Sequence, residues 1–206
     1  KKIAFDNVSD KSIGDTVTPF IEKFNAIHQN KYEKVDIESI NISLGIMNED
    51  KVAKIQHLWA DKTEVEDGGT LTLNLLLKPS RKDEKIVKTE LQLPKGLKKG
   101  SYVNIKVCGG NSISPEIAPP HNLDSLIDTL NKYYKANTFV ISLDLPSQGL
   151  KYKGNILDKL PKSIISQITP ALTSEFELTN ATQFRKVVPM DFIIDGETEI
   201  QIKIKE

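Results

Sequence analysis

Residues 64–79 read EVEDGGTLTLNLLLKP, and the interpretation of this stretch fixes the fold class. Asp67, Gly68 and Gly69 make a turn signal. Leu71, Leu73, Leu75 and Leu77 then alternate with Thr72, Asn74, Leu76 and Lys78, the two-residue period that sends one set of side chains to a single face of a strand. Pro79 and the charged residues after it end the run. On either side lie further short runs with turn signals between them. IVKTELQLP follows the charged RKDEK turn, and YVNIKV follows GLKKG. Short strands separated by turns predict a mainly β chain.

Upstream, KVAKIQHLW predicts a strand with Ala53, Ile55, His57 and Trp59 on one face. VDIESINISLGI, residues 35–46, predicts another. Val35, Ile37, Ser39, Asn41 and Ser43 take one register, Ile40, Ile42, Leu44 and Ile46 the more apolar one, and the β-branched content disfavours a helix. Before these, TVTPFIEKFNAIH carries Val17, Phe20, Ile21, Phe24, Ile27 and His28 at helical spacing, with Pro19 acceptable in the first turn. This helix is expected to cover a sheet. Its polar face has both signs of charge and lacks the dense basic strip of a membrane-surface helix.

Composition shifts over residues 109–122, GGNSISPEIAPPHN, a linker or crossover. LDSLIDTLNKYY follows, with Leu123, Leu126, Ile127, Leu130 and Tyr134 at helical spacing and Asn122 as N-cap. TFVISLDLP predicts a strand and LPKSIISQI a short helix. FELTNATQFRKVVP and TEIQIKIKE predict two late strands, with Ile200, Ile202 and Ile204 on one face of the last. The expected fold is mainly β with α+β elements, a β-sandwich-like module joined to a smaller α/β module. Residues 1–34 form an N-terminal helical region, 35–110 the β-sandwich-like module and 111–206 a helix-containing β-rich module, with both packed as one elongated unit as the alternative.

The bulk numbers bound the function. The 206 residues are 38% hydrophobic and carry 28 Lys and Arg against 28 Asp and Glu. Such a chain buries a core, yet has no net field to draw nucleic acid or an anionic membrane. No apolar run is long enough for a spanning helix, so no transmembrane insertion is expected. One cysteine forms no internal disulfide. His28, His57 and His121 are far apart and match no metal motif, so neither a metal nor another cofactor is expected. GGN at 109–111 lacks the spacing and the Lys-Ser/Thr pair of a phosphate loop. Paired acids such as Glu64 with Glu66 and Glu175 with Glu177 read as solvent-facing strand residues. The lysines of KIVK, KGLKKG and KIKIKE read as a solvated face rather than a nucleic-acid surface.

Cys108 opens the sequence's one chemical question. With His121 in hydrogen-bond reach and an oxyanion site opposite, it would be a nucleophile; as the end of a strand it is a packed thiol. The packed thiol is preferred, and the following glycines are attributed to a change of chain direction. No catalytic residue is assigned. A hydrolase with an unrecognised polar cleft involving Cys108 and His121 stands as the alternative.

The order of these segments, from the helix ahead of DIESINISLGI through KIQHLWADKTEVEDGGTLTLNLLLKP, ELQLPKGLKKGSYVNIKV, LDSLIDTLN and NTFVISLDLP to LPKSI, resembles the non-catalytic C-terminal accessory region of bacterial sporulation-factor-type serine peptidase-like proteins. The resemblance runs from about residue 14 to about residue 164. It places Val65, Gly68 and Thr70 at the family's turn before a long strand, Pro79 at that strand's end, and Pro94 and Gly100 around a later turn. Leu123, Leu126 and Leu130 fall in its downstream helix, and Leu160 and Pro161 in its late turn. It implies a structural role for these residues and brings no catalytic residue with it. The charged loop KPSRKDEKIV and Cys108 depart from its pattern.

The function expected is a noncatalytic accessory or protein-interaction module of a bacterial envelope or secreted protein, acting through an exposed sheet edge or apolar surface. Its partner would be another protein or a second copy, with peripheral envelope association compatible and any export signal absent from this chain. Tyr133, Tyr134, Phe139 and Tyr152, the last in the PSQGLKYKG loop, are the candidate partner contacts.

Overall fold

The computed structural model describes residues 3, 5–115, 119–145, 149–152, 155–157, 167, 176–179 and 182–206; for 144, 145, 149–152, 155–157, 176–179, 182 and 183 it describes the backbone alone. In chain order the elements are α1 (Ile13–His28), β1 (Val52–Ala60), β2 (Glu64–Val65), β3 (Thr70–Pro79), β4 (Lys85–Gln92), β5 (Tyr102–Gly109), a 3₁₀ turn (Gly110–Ser112), α2 (Leu123–Asn131), β6 (Thr138–Leu145), β7 (Gly149–Tyr152), β8 (Asn155–Leu157), β9 (Phe176–Thr179), β10 (Thr182–Pro189), β11 (Ile193–Asp195) and β12 (Glu197–Ile204). They form a mixed α/β fold built on two curled sheets, each a half-barrel, with two short helices. One sheet runs β11-β1-β3-β4, the other β10-β6-β5-β12-β2, and β8-β7-β9 make a small third sheet.

The leucine alternation of β3 sets the first sheet. Leu71, Leu73, Leu75 and Leu77 are all buried, joined by Leu91 from β4. From the second sheet, Val103, Ile105, Phe139, Ile141, Leu143, Ile202 and Ile204 enter the same hydrophobic cluster. Burial of such side chains contributes about 1.5–3 kcal/mol each. Residues from 53 to 204 therefore share one core.

The register of β1 differs from the simple alternation expected. Ile55 pairs with Leu77 but His57 pairs with Leu76, so Gln56 is an extra residue in a β-bulge. Ala53 and Leu58 are buried, while His57 and Trp59 fall on the outer face and stack at 5.8 Å. A single bulge thus moves His57 and Trp59 away from the face of Ala53 and Ile55.

Residues 35–46 form no strand. Their composition suits one, but a strand exists by pairing, and they make no backbone hydrogen bond to another described residue. The late run FELTNATQFRKVVP is two strands, β9 and β10, in different sheets. The helix expected in LPKSIISQI falls on residues of which only Gln167 is described.

Both remaining helices form where periodicity places them, with altered ends. α1 starts at Ile13 because Ser12 caps it, its Oγ accepting from Asp15 N at 3.2 Å, and this leaves Pro19 inside the helix rather than in its first turn. α2 has the expected cap. Asn122 Oδ1 accepts from Ser125 N at 2.7 Å, and Ser125 Oγ accepts in return from Asn122 N at 3.0 Å. It stops at Asn131, so Tyr134 lies beyond the helix. Among the described residues no helix is long and apolar enough to cross a membrane.

Candidate functional site

The helices do not seal the molecule. Between α1, α2, the N-terminal arm and residues 35–44 lies an open cleft of about 1230 Å³. α1 lines it with Phe20, Phe24 and Ile27, α2 with Ile127 and Leu130, and the extended segment with Ile40 and Ile42. No α1 residue is fully buried, and Ile42, Leu44 and Ile46 are 58%, 56% and 83% exposed. Isolated exposed isoleucines need no explanation, but here they follow one another along an extended segment beside the cleft.

At one wall of the cleft the arm is anchored by polar contacts. Tyr133 Oη donates to Asp6 O at 2.6 Å and accepts from Asp6 N at 2.9 Å. Asn7 Oδ1 accepts from Ala136 N at 3.0 Å, and Lys135 pairs with Asp6. These contacts set Phe5 against Tyr133, with ring centroids 4.7 Å apart. The Lys23 ammonium rests on both rings, 4.0 Å from Phe5 and 3.8 Å from Tyr133. Its Nζ is inaccessible and has no hydrogen-bond acceptor among the described residues. Burial lowers the Lys23 pKa.

The candidate contact residues do not converge. Tyr133 holds the arm. Tyr134 lies across the outer face of the second sheet, where Arg185 Nη1 donates to its Oη at 3.1 Å. Phe139 is 0% exposed and packs the core. Tyr152 belongs to β7, and its side chain, like Pro146, Ser147, Gln148, Lys153 and Gly154 of its loop, lies outside what is described.

Cys108 is 1% exposed, with Sγ 3.9 Å from Val140 O. Burial pushes its thiol pKa up, which suppresses the nucleophilic thiolate. The charged groups acting on it are Lys106, Glu197 and Arg185, and none is a histidine. His57 stacks on Trp59, His28 stacks on Phe24 at 6.1 Å, and His121 N donates to Ser125 Oγ at 2.9 Å beside the α2 cap. Among the described residues no group of three or more His, Cys, Asp or Glu side chains could hold a metal ion.

The glycines after Cys108 serve close approach. Gly109 has φ −64° and ψ 150°, open to any residue. A Cβ on it would lie 1.9 Å from Ile194 O, and one on Gly110 would lie 2.1 Å from Lys135 O. The backbone of β11 and the turn before β6 press against β5 here, and the absence of side chains admits them. The change of chain direction therefore is not what requires glycine.

Sequence periodicity located the α1 and α2 walls but overlooked Lys23. The available signal was a lysine between Phe20 and Ile27, inside an otherwise apolar stripe. No protein-family model, curated protein or solved structure matches this chain.

Proposed function

We propose that this chain is a noncatalytic interaction module that recognises a protein by pairing the backbone of residues 35–46 with an extended segment of its partner. One observation carries the reading. This β-branched, exposed stretch makes no backbone hydrogen bond to another described residue. Its amides and carbonyls, without backbone partners among the described residues, can accept an added strand, with Ile40, Ile42, Leu44 and Ile46 to grip alternate side chains. Burial of Cys108, with no histidine among the charged groups acting on it, supports this over a hydrolase. We read the fold as a β-sandwich-like module carrying a smaller α/β portion, and the setting as a bacterial envelope or secreted protein, after the resemblance of residues 14–164 to a peptidase accessory region.

The test uses an array of extended peptides and the chain itself at rising concentration. Binding or self-association is expected, with hydrogen-exchange protection appearing at amides 35–46 in the complex. Ile42→Pro should weaken it about ten-fold or more, because it removes a ladder donor and restricts the backbone, whereas Ile42→Val should not. Equal affinity in the proline variant, amides 35–46 that exchange equally fast free and bound, or no association with any probe would overturn the proposal.

A further inference from the structure

We propose that the cleft between α1, α2 and residues 35–44 binds a single long-chain carboxylate, its acyl chain along Phe20, Phe24, Ile27 and Ile127 and its head group on the Lys23 ammonium. This inference uses the side chains that line the cleft, whereas the proposed function uses the backbone edge of residues 35–46, which form one of its walls. Three observations meet in it. The volume, about 1230 Å³, is ample for a chain molecule, and typical small-ligand sites hold roughly 300–1,000 Å³. On the helix walls Phe20, Phe24, Ile27, Ile127 and Leu130 offer aliphatic and aromatic surface for an extended alkyl chain, within a lining that also holds polar side chains. At the arm end stands one ammonium with no hydrogen-bond acceptor among the described residues.

A cation on two aromatic faces is partly stabilised by their quadrupoles, but its N–H donors have no acceptor among the described residues. A carboxylate supplies both acceptor and counter-charge. The flexible four-carbon stem of Lys23 lets the ammonium swing off the rings to meet it. The other charged lining groups are engaged or solvated. Asp6 pairs with Lys135 and Asp15 accepts from Ser12 Oγ at 2.8 Å, while Lys11, Asp36 and Glu38 are exposed at the rim. One ammonium balances one negative charge, which favours a monocarboxylate over a phosphate dianion.

The test titrates the full chain with dodecanoate, tetradecanoate and the matched alcohol dodecanol, each below its aggregation concentration, by calorimetry. Saturable binding of one carboxylate per chain is expected, tightening about four-fold for each added methylene. Lys23→Gln should weaken the carboxylates about ten-fold or more and leave dodecanol unchanged, with an unaltered melting curve as the folding control. Because Lys23 contacts the arm, Lys23→Arg is the second variant and should retain most of the carboxylate affinity. Equal carboxylate affinity in Lys23→Gln would overturn the head-group assignment. Absence of saturable binding would overturn the site and leave the cleft to a protein segment. Flotation with phosphatidylglycerol vesicles without binding of free carboxylate would overturn it in favour of a lipid surface. Loss of carboxylate binding in Lys23→Gln, with peptide binding at residues 35–46 intact, would uphold it separately from the strand-pairing proposal.

Discussion

Replacing Gly109 with alanine adds a single methyl group at the seam between β5 and β11. The new Cβ would lie 1.9 Å from Ile194 O and 2.8 Å from Ile194 C, where ordinary contact begins near 3.4 Å. Neither neighbour is a rotatable side chain. Ile194 is fixed by its N–H to Ala136 O at 3.0 Å, Ile193 by its N–H to Lys51 O at 2.7 Å, and Gly109 by its own N–H to Gly196 O at 3.1 Å. Relief of the clash therefore opens the seam and sacrifices at least one of these bonds. Overpacking a core costs roughly 1–3 kcal/mol, and an orphaned buried amide about 1–3 kcal/mol more. A loss of about 2–6 kcal/mol lowers Tm by roughly 4–24 °C in a chain of this size. Backbone strain is not the cause, since φ −64° suits alanine. Differential scanning calorimetry of Gly109→Ala beside Gly45→Ala, whose Cβ meets nothing within 4 Å, isolates the effect. The control should stay within about 0.5 kcal/mol of wild type. A Gly109→Ala melting point within about 2 °C of wild type would refute the close-approach explanation of the Cys-Gly-Gly sequence.

Two further predictions concern titrating groups. Asp67 accepts from the Gly96 and Leu97 amides at 2.9 Å each, which holds its carboxyl below the ordinary value. Its stabilisation is present above the unfolded pKa of about 3.9 and is lost as pH falls through the folded value; urea midpoints should fall less steeply with acid in Asp67→Ala, and parallel curves would contradict this. Cys108 has the opposite sign. Its thiol is raised by burial, so stability is present below the unfolded pKa of about 8.5 and is lost as pH rises through the folded value. Cys108→Ala should flatten the alkaline limb, and native Cys108 should react with a thiol reagent far more slowly than in urea; equal labelling rates would count against its burial.

How much of this was legible beforehand follows from how far each pattern reaches. The alternation in β3 and β12 and the helical stripe of α1 are local, because one buried face imposes its period on consecutive residues. Asn122 could be identified as a cap because its partner Ser125 is three residues away. The bulge at Gln56 was not legible, since it is a relation between β1 and β3 and shows itself only in their register. Lys23 resting on Phe5 and Tyr133 joins residues over a hundred positions apart, so no window along the chain contains it.

By itself the sequence determined which segments seek burial, the predominance of β structure and the absence of net charge. Tertiary structure decided the rest. It left residues 35–46 without a backbone partner among the described residues although their composition suits a strand, because pairing requires a neighbour that composition does not supply. It also gave the two glycines after Cys108 their meaning, because only the approach of Ile194 and Lys135 from elsewhere in the chain makes a methyl group there too large.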